Sequence, residues 1–395
     1  KEHPCGLYYF DTAPKSTNND TSLMSNNYSF VSTVHDNQMK FTRRQRENAD
    51  TARKLFRILG RPSQKSFNKA IVNNTIHNCP VTIEDTKNAD AIYGPDIASI
   101  KGKTTRKNPA PHIPDITIVP LPDHVAEHHR NITICIDFFF VQGQAFIHTI
   151  SRGVHYRTAT PVPNRTKQTM LQETERVVKM YQDRGFNVVA LHADHEFECI
   201  RHDIAPIRLD VVAPDSHVGE IERSIRTVKE RERSTVHGLP YKRIPKQMII
   251  GVIENTLYYL NALPSETGIS DTISPSTMVE GAQPLDFSKL KLEFGSYVQA
   301  FDDNPISNTT RSRNTGAITL APTGNAQGDY SFLSLQTGRM ISRHQYQELP
   351  IPQSAIDRVH QLANQQNQPA LQGHDVLTEW RPHQLIKEED IEDND

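Results

Sequence analysis

Three acidic residues stand where a single fold could bring them together. Asp137 ends the apolar run 132–137, Asp194 ends a second such run at 188–194, and Glu222 lies on a charged stretch with helical spacing. Two strand ends side by side, with a helix laid across them, would gather the three carboxylates around a divalent cation. Hard oxygen ligands suit Mg²⁺ or Mn²⁺, and such a cluster facing phosphate oxygens is equipped for phosphodiester chemistry. Each aspartate alone has a simpler explanation, because Asp starts turns and caps helices. Two aspartates that end strands, followed by a helix carrying Glu among basic residues, are harder to reach by chance.

The helix sharpens the choice of the third acid. At about 100° per residue, Val218, Ile221, Ile225 and Val228 fall in one narrow arc that must pack on a sheet. Glu222 borders that arc and Glu220 is expected to point away from it. Glu222, Arg226, Lys229 and Arg233 then line one flank, a positive row suited to a phosphate backbone. A solvated helix with an i,i+4 Glu–Arg pair would make the same row. Of the histidines beside Asp194, His192 reads as a strand residue and His195 as a turn residue.

The elements that must position these residues are legible as periodicity. Strand-like runs at 132–141, 144–151 and 156–161 are separated by short turns; a helix at 167–184 shows Leu171, Thr174, Val178 and Tyr181 on one face and closes at Gly185. Strands at 187–193 and 207–212 flank a short helical piece around Phe197, and helices near 218–236 and 245–262 follow. This order predicts an α/β fold with a mixed five-stranded sheet and flanking helices over 131–265. The rest divides into a poorly ordered lead-in at 1–40, a small helical module at 41–78 and a Pro-rich basic connector at 79–130. A small β-barrel-like region follows at 290–350, then a polar acidic tail at 351–395.

With 395 residues, 36% of them apolar, and a formal charge of −2, the chain is long enough for several domains and is not a uniformly basic nucleic-acid binder. Its positive charge is local, concentrated in 40–69, 101–107 and 223–246, while 387–395 is acidic. No apolar run reaches the roughly eighteen residues of a membrane span, and residues 1–6 lack the order of a signal peptide, so an intracellular protein is expected. Cysteines at 5, 79, 135 and 199 make no C-x-x-C pair, which indicates neither a disulfide framework nor a zinc site.

Taken together, Cys135-Ile-Asp137, His192-Ala-Asp-His-Glu-Phe197 and Gly219-Glu-Ile-Glu222-Arg223 resemble the integrases of copia-type LTR retrotransposons, members of the DDE or RNase H-like superfamily. The second motif is similar to that family's D-N-G-x-E-F and the third to its N-G-x-x-E-R. Upstream, Ala52-Arg-Lys-Leu-Phe-Arg-Ile-Leu-Gly-Arg-Pro-Ser63 resembles the segment before the catalytic core; downstream, Gly316-Ala-Ile-Thr-Leu320 and Gly338-Arg-Met-Ile-Ser-Arg343 resemble a small SH3-like β region. The resemblance implies an RNase H-like core in which Asp137, Asp194 and Glu222 hold two Mg²⁺ or Mn²⁺ ions. It also implies 3′-end processing and strand transfer of element DNA into a double-stranded target. Arg223, Arg226, Lys229 and Arg233 would be DNA contacts, in a homo-oligomer acting in the nucleus of a eukaryotic host and cut from a polyprotein. Two departures stand out. Phe and Arg occupy the places of the family's zinc-binding histidines in 55–61, so no zinc is expected, and only 27 residues (195–221) separate Asp194 from Glu222. A metal nuclease without joining activity and a decayed DNA-binding copy are the competing readings.

Overall fold

The computed structural model describes residues 31–371, apart from 60, 74, 77, 104–117, 212–218, 303–311 and 326. The chain enters through helix α1 (Val34–Met39), capped by the Thr33 side chain, and Thr33 also bridges in parallel to Ile351. The lead-in read at 1–40 is thus ordered over 31–40, because a polar segment without periodicity of its own is held by tertiary backbone bonds; 1–30 lie outside the described residues. Helix α2 (Arg43–Ile58) opens with a Thr42–Gln45 capping box and α3 (Gln64–Val72) with the Ser63 cap.

Residues 79–130 correct the expectation of a connector. They hold α4 (Ile83–Tyr93), α5 (Ile97–Lys103) and α6 (Asp123–His128). Helix α4 starts at a second capping box and completes the core of the helical module: Ala49, Ala52, Phe56, Phe67, Ile71, Val81, Ala89 and Ile92 pack together. Phe56 stands in the segment where the resemblance would place zinc-binding histidines and is instead part of this apolar core, edge-on to Phe67 at 5.3 Å. The buried Arg53 guanidinium donates to the carbonyls of Ala89 and Gly94, satisfying the end of α4. Of the basic loop read at 101–107, residues 101–103 end α5 and 104–107 lie outside the described residues.

The central sheet matches its expectation. Strands β1 (Asn131–Val141), β2 (Gln144–Ser151), β3 (Arg157–Val162), β4 (Asn187–Ala193) and β5 (Arg208–Val211) form a five-stranded sheet in the order β3-β2-β1-β4-β5. The first three pair antiparallel, and β4 and β5 run parallel to β1. Gln142 and Gly143, with φ of 46° and 79°, make the tight turn that fixes the β1–β2 register. One face of β1 buries Ile132, Ile134 and Ile136 with Val177, Val178 and Tyr181 of α7 (Lys167–Asp183). The other carries Cys135, Asp137 and Phe139 toward α8 (Gly219–His237) and α9 (Lys246–Ala262), so both faces of the strand are covered. Val218, the first residue of the expected arc, lies outside the described residues.

After α10 (Pro275–Glu280) come β6 (Tyr297–Phe301), β7 (Asn314–Pro322), β8 (Tyr330–Ser334), β9 (Met340–Arg343) and β10 (Tyr346–Leu349). They form a five-stranded antiparallel sheet in the order β10-β6-β7-β8-β9, the last strand returning to pair with the first. The tail read at 351–395 is corrected over its first part: α11 (Gln353–Gln365) buries Ala355, Ile356, Val359, Leu362 and Ala363. Its apolar stripe has full helical spacing but sits among Gln and Asn, which mask it in composition. One core runs without a break from Phe139 and Phe146 through α9 to Ile318 and Leu320 of β7 and Val359 of α11. Among the described residues no helix is long and apolar enough to cross a membrane.

Helix α9 is the slab between the two sheets, and Gly251 permits the contact: a Cβ there would lie 2.9 Å from Cβ of Leu320. Overpacking of this kind costs about 1–3 kcal/mol, against a gain of about 1 kcal/mol in helix propensity. Gly251→Ala is therefore expected to lower the melting temperature, and Gly251→Ala with Leu320→Ala to lose less than the two single losses added. A thermal-unfolding double-mutant cycle checks this; strict additivity would contradict the packing.

Candidate active site

Parallel pairing of β1 with β4 sets two of the three acids beside each other. Ile136 is opposite Ala193, so Asp137 and Asp194 occupy the next step in register. Asp194 caps the 3-10 helix His195–Ile200 by accepting from the His195 N–H at 2.6 Å. That turn is pinned by Phe197, which is buried and stacked on Phe138 with ring centroids 5.2 Å apart. Helix α8 crosses the face that carries Asp137: Ile221 packs on Cys135 and Ile150, and Val228 joins the core that contains Phe139. Glu222 follows Ile221 and is exposed, as Asp194 is, whereas Asp137 is half-buried.

The charges meet at Asp137. Burial pushes its carboxyl up to about 6, and the negative charges of Asp194, Glu196 and Glu222 push the same way, against the Phe138 N–H that it accepts at 2.6 Å. Asp194 and Glu222, the other two acids expected from the sequence, thus lie near enough for their charge to reach Asp137, as does a further acid, Glu196. Glu196 is paired with Arg165 at 2.6 Å, and that guanidinium lies 5.9 Å and 5.6 Å from the ring centroids of Phe138 and Phe140. The sequence signal for Glu196 was its place two residues after Asp194.

The donors are carboxylate oxygens throughout, the chemistry that Mg²⁺ and Mn²⁺ take, and the charge gathered at Asp137 is what a cation relieves. Among the described residues, no three His, Cys, Asp or Glu side chains lie close enough as they stand to hold one ion. Asp137 and Asp194 are each turned onto the following backbone N–H. Closing the cluster requires the carboxylates to turn toward each other, against a mutual repulsion that a cation between them would cancel.

Glu220 corrects the helical-wheel expectation. Its carboxylate accepts from Arg152 Nε at 2.5 Å and from the Cys135 thiol at 3.3 Å, so it reaches the sheet instead of pointing away. Side chains in the first turn of a helix lean back past its N-terminus, and Glu is long enough to complete that reach. Its charge is used by Arg152.

The basic residues divide between two flanks. Lys229 Nζ stands 5.9 Å over the ring of Phe139, two residues beyond Asp137; Arg226 is exposed; Arg233 Nε donates to the Lys229 carbonyl at 3.2 Å. Arg223 faces elsewhere, donating to the Gly219 carbonyl at 2.9 Å and lining a cleft with Arg152 and Arg157.

A buried polar clamp holds α8 in place, and sequence reasoning missed it. His148, fully buried and directly cross-strand from Asp137, contacts the Thr158 carbonyl at 2.7 Å and Ser224 Oγ at 2.8 Å. A carbonyl only accepts, so Nδ1 carries the proton and Nε2 accepts from the Ser224 hydroxyl, which itself accepts from Arg157 Nε at 3.2 Å. Burial lowers the His148 pKa to about 4, keeping the ring neutral. The clamp lies two residues after Glu222. His192 is in β4 as expected, 3.4 Å from Asp210, and His195 begins the exposed turn.

The folded-state pKa of Asp137 lies above its ordinary value, so the folded protein holds that proton more tightly between about pH 4 and 6. Without divalent metal, this site's cost to stability appears as pH rises through that window and is complete above it. Asp137→Asn is expected to flatten the dependence there and to melt at a higher temperature than the unsubstituted chain at pH 7.5 in EDTA. Thermal melts across pH check this, and an unchanged slope would contradict it.

No protein-family model matches the chain, and no curated protein matches it. Among solved structures, the crystal structure of the catalytic core domain of BIV integrase is similar over 38% of this chain and 93% of that one, at 16% identity and a TM-score of 0.27. A TM-score this low leaves the functional reading to rest on the sheet order and the carboxylates.

Proposed function

We propose that this chain is a retrotransposon integrase of the copia type with an RNase H-like core, performing Mg²⁺-dependent 3′-end processing and strand transfer on double-stranded DNA. One observation carries the reading: a mixed sheet sets Asp137 and Asp194 at adjacent strand ends, and α8 adds Glu222, whose charge is felt at Asp137. Asp137, Asp194 and Glu222 would hold the two ions. When bound, these ions supply activation of the attacking oxygen and neutralisation of the leaving one.

The remaining groups bind and orient. Lys229, beside Phe139, and Arg226 on the same flank are placed to take DNA phosphates next to the carboxylates, with Arg233 continuing the row and Arg223 serving phosphate on the other flank. Arg165, held over Phe138 and Phe140, offers a cation on the opposite side of Asp137. The Ser224–His148 clamp fixes α8 so that Glu222 keeps its place over the strand ends. A last β10 strand paired back to β6 suits a small SH3-like barrel after the core. The reading carries with it a homo-oligomer that grips two DNA ends.

Asp137→Asn, Asp194→Asn and Glu222→Gln are each expected to lose strand transfer by about a thousandfold or more, since metal stabilisation of the transition state is worth several kcal/mol. Glu220→Gln, outside the cluster, is expected to stay within about tenfold. A duplex-end assay that resolves cleaved from joined products measures both. Cleavage without joining would assign a nuclease, and DNA binding with neither product a decayed copy; activity surviving in Asp137→Asn would overturn the carboxylate mechanism.

A further inference from the structure

The flank of α8 turned away from the carboxylates walls a second site. A cleft of ≈ 380 Å³ is enclosed by the end of β2, the start of β3, this flank and Thr267, at the small end of the range for ligand pockets. Three guanidiniums line it, from Arg152, Arg157 and Arg223, together with His155. Among the described lining residues the one carboxylate is Glu220, which Arg152 already engages at 2.5 Å.

Arg157 is the telling residue. Its Nε donates to Ser224 Oγ at 3.2 Å and one terminal nitrogen to the His155 carbonyl at 3.0 Å, and both of these acceptors are neutral. Burial lowers its pKa, and the next influence on it is another cation, Arg231. Arg223, exposed on the helix, donates to the Gly219 carbonyl and shares the charge of Glu220 with Arg152. A guanidinium drawn partly out of water without a counter-charge is costly, and a planar fork of N–H donors is matched by phosphate or carboxylate oxygens. The wall is also built under constraint: His155 has φ 58°, a left-handed backbone that a non-glycine residue adopts at some cost, and its ring is tied to Ser265 Oγ at 2.8 Å.

We propose that this cleft binds a phosphate group, with Arg157 and Arg223 as its charge partners and the Thr267 hydroxyl at its rim. The assignment stands on the charge geometry of the cleft, and only its strand-phosphate form extends the DNA-contact role proposed above for Arg223. A phosphodiester of a nucleic-acid strand and a free phosphate or phosphomonoester share this chemistry, and the test separates them.

The full chain is titrated with inorganic phosphate against chloride at matched ionic strength, reading the melting temperature. Phosphate is expected to raise it. Arg157→Met, which keeps most of the buried volume, and Arg223→Ala are each expected to weaken phosphate by about tenfold or more. Glu220→Gln, which removes the one carboxylate, is expected to tighten it. In a parallel salt titration with a DNA duplex, a strand phosphate in the cleft lowers the slope of log K against log salt by about one in Arg223→Ala. An unchanged slope, with phosphate affinity still lost, assigns a free phosphate. Should Arg157→Met fail to fold, Arg223→Ala, exposed on the helix, carries the test. Absence of a phosphate-specific rise, or the same rise in the variants, would overturn the site.

Discussion

Parallel pairing of β1 with β4 is the constraint on which the rest of the structure depends. It places Asp137 and Asp194 at adjacent strand ends, one step beyond the Ile136–Ala193 pair. Such a pair is unfavourable in a bare protein, and the pKa of Asp137 is raised first by burial and then by the charges of Asp194, Glu196 and Glu222. Everything around the pair resists relaxation: α7 packs one face of β1, α8 and α9 cover the other, and the Phe138–Phe197 stack holds the turn after Asp194. A fold that keeps like charges together under these conditions is what the proposed cation site would need.

The second constraint is the seating of α8. Its apolar contacts through Ile221 and Val228 leave freedom to slide, whereas the bonds among Ser224, His148, Thr158 and Arg157 are directional and fix one register. One helix therefore serves two surfaces. The flank with Glu222, Arg226 and Lys229 adjoins the aspartates, and the flank with Glu220 and Arg223 walls the cationic cleft.

Much of this was legible in the sequence, and the misses have physical causes. β-Branched and aromatic runs located the five strands of the central sheet, and periodicity located α7, α8 and α9. Helix α4 was passed over because its buried face includes Asp85, Thr86 and Asn88, which read as surface residues. Helix α11 was hidden by its Gln- and Asn-rich outer face. At the site, the strand-end rule singled out Asp137 and Asp194 and the helical wheel Glu222, and the charges of the latter two reach Asp137. The same wheel misjudged Glu220, because it follows the direction of a Cβ and not the reach of a long side chain. The Ser224–His148 clamp left no signal, since a serine in a charged helix and a histidine in an apolar strand show their partnership only when folded together.

The central claim is that Asp137, Asp194 and Glu222 form one divalent-metal site. The most direct measurement is a crystal structure with Mn²⁺, located by anomalous scattering. The account predicts a peak bound by carboxylate oxygens of Asp137 and at least one of the other two at roughly 2.0–2.2 Å, with both aspartates turned away from the backbone N–H groups they now accept. Mn²⁺ bound elsewhere, with the three carboxylates still apart, would contradict it.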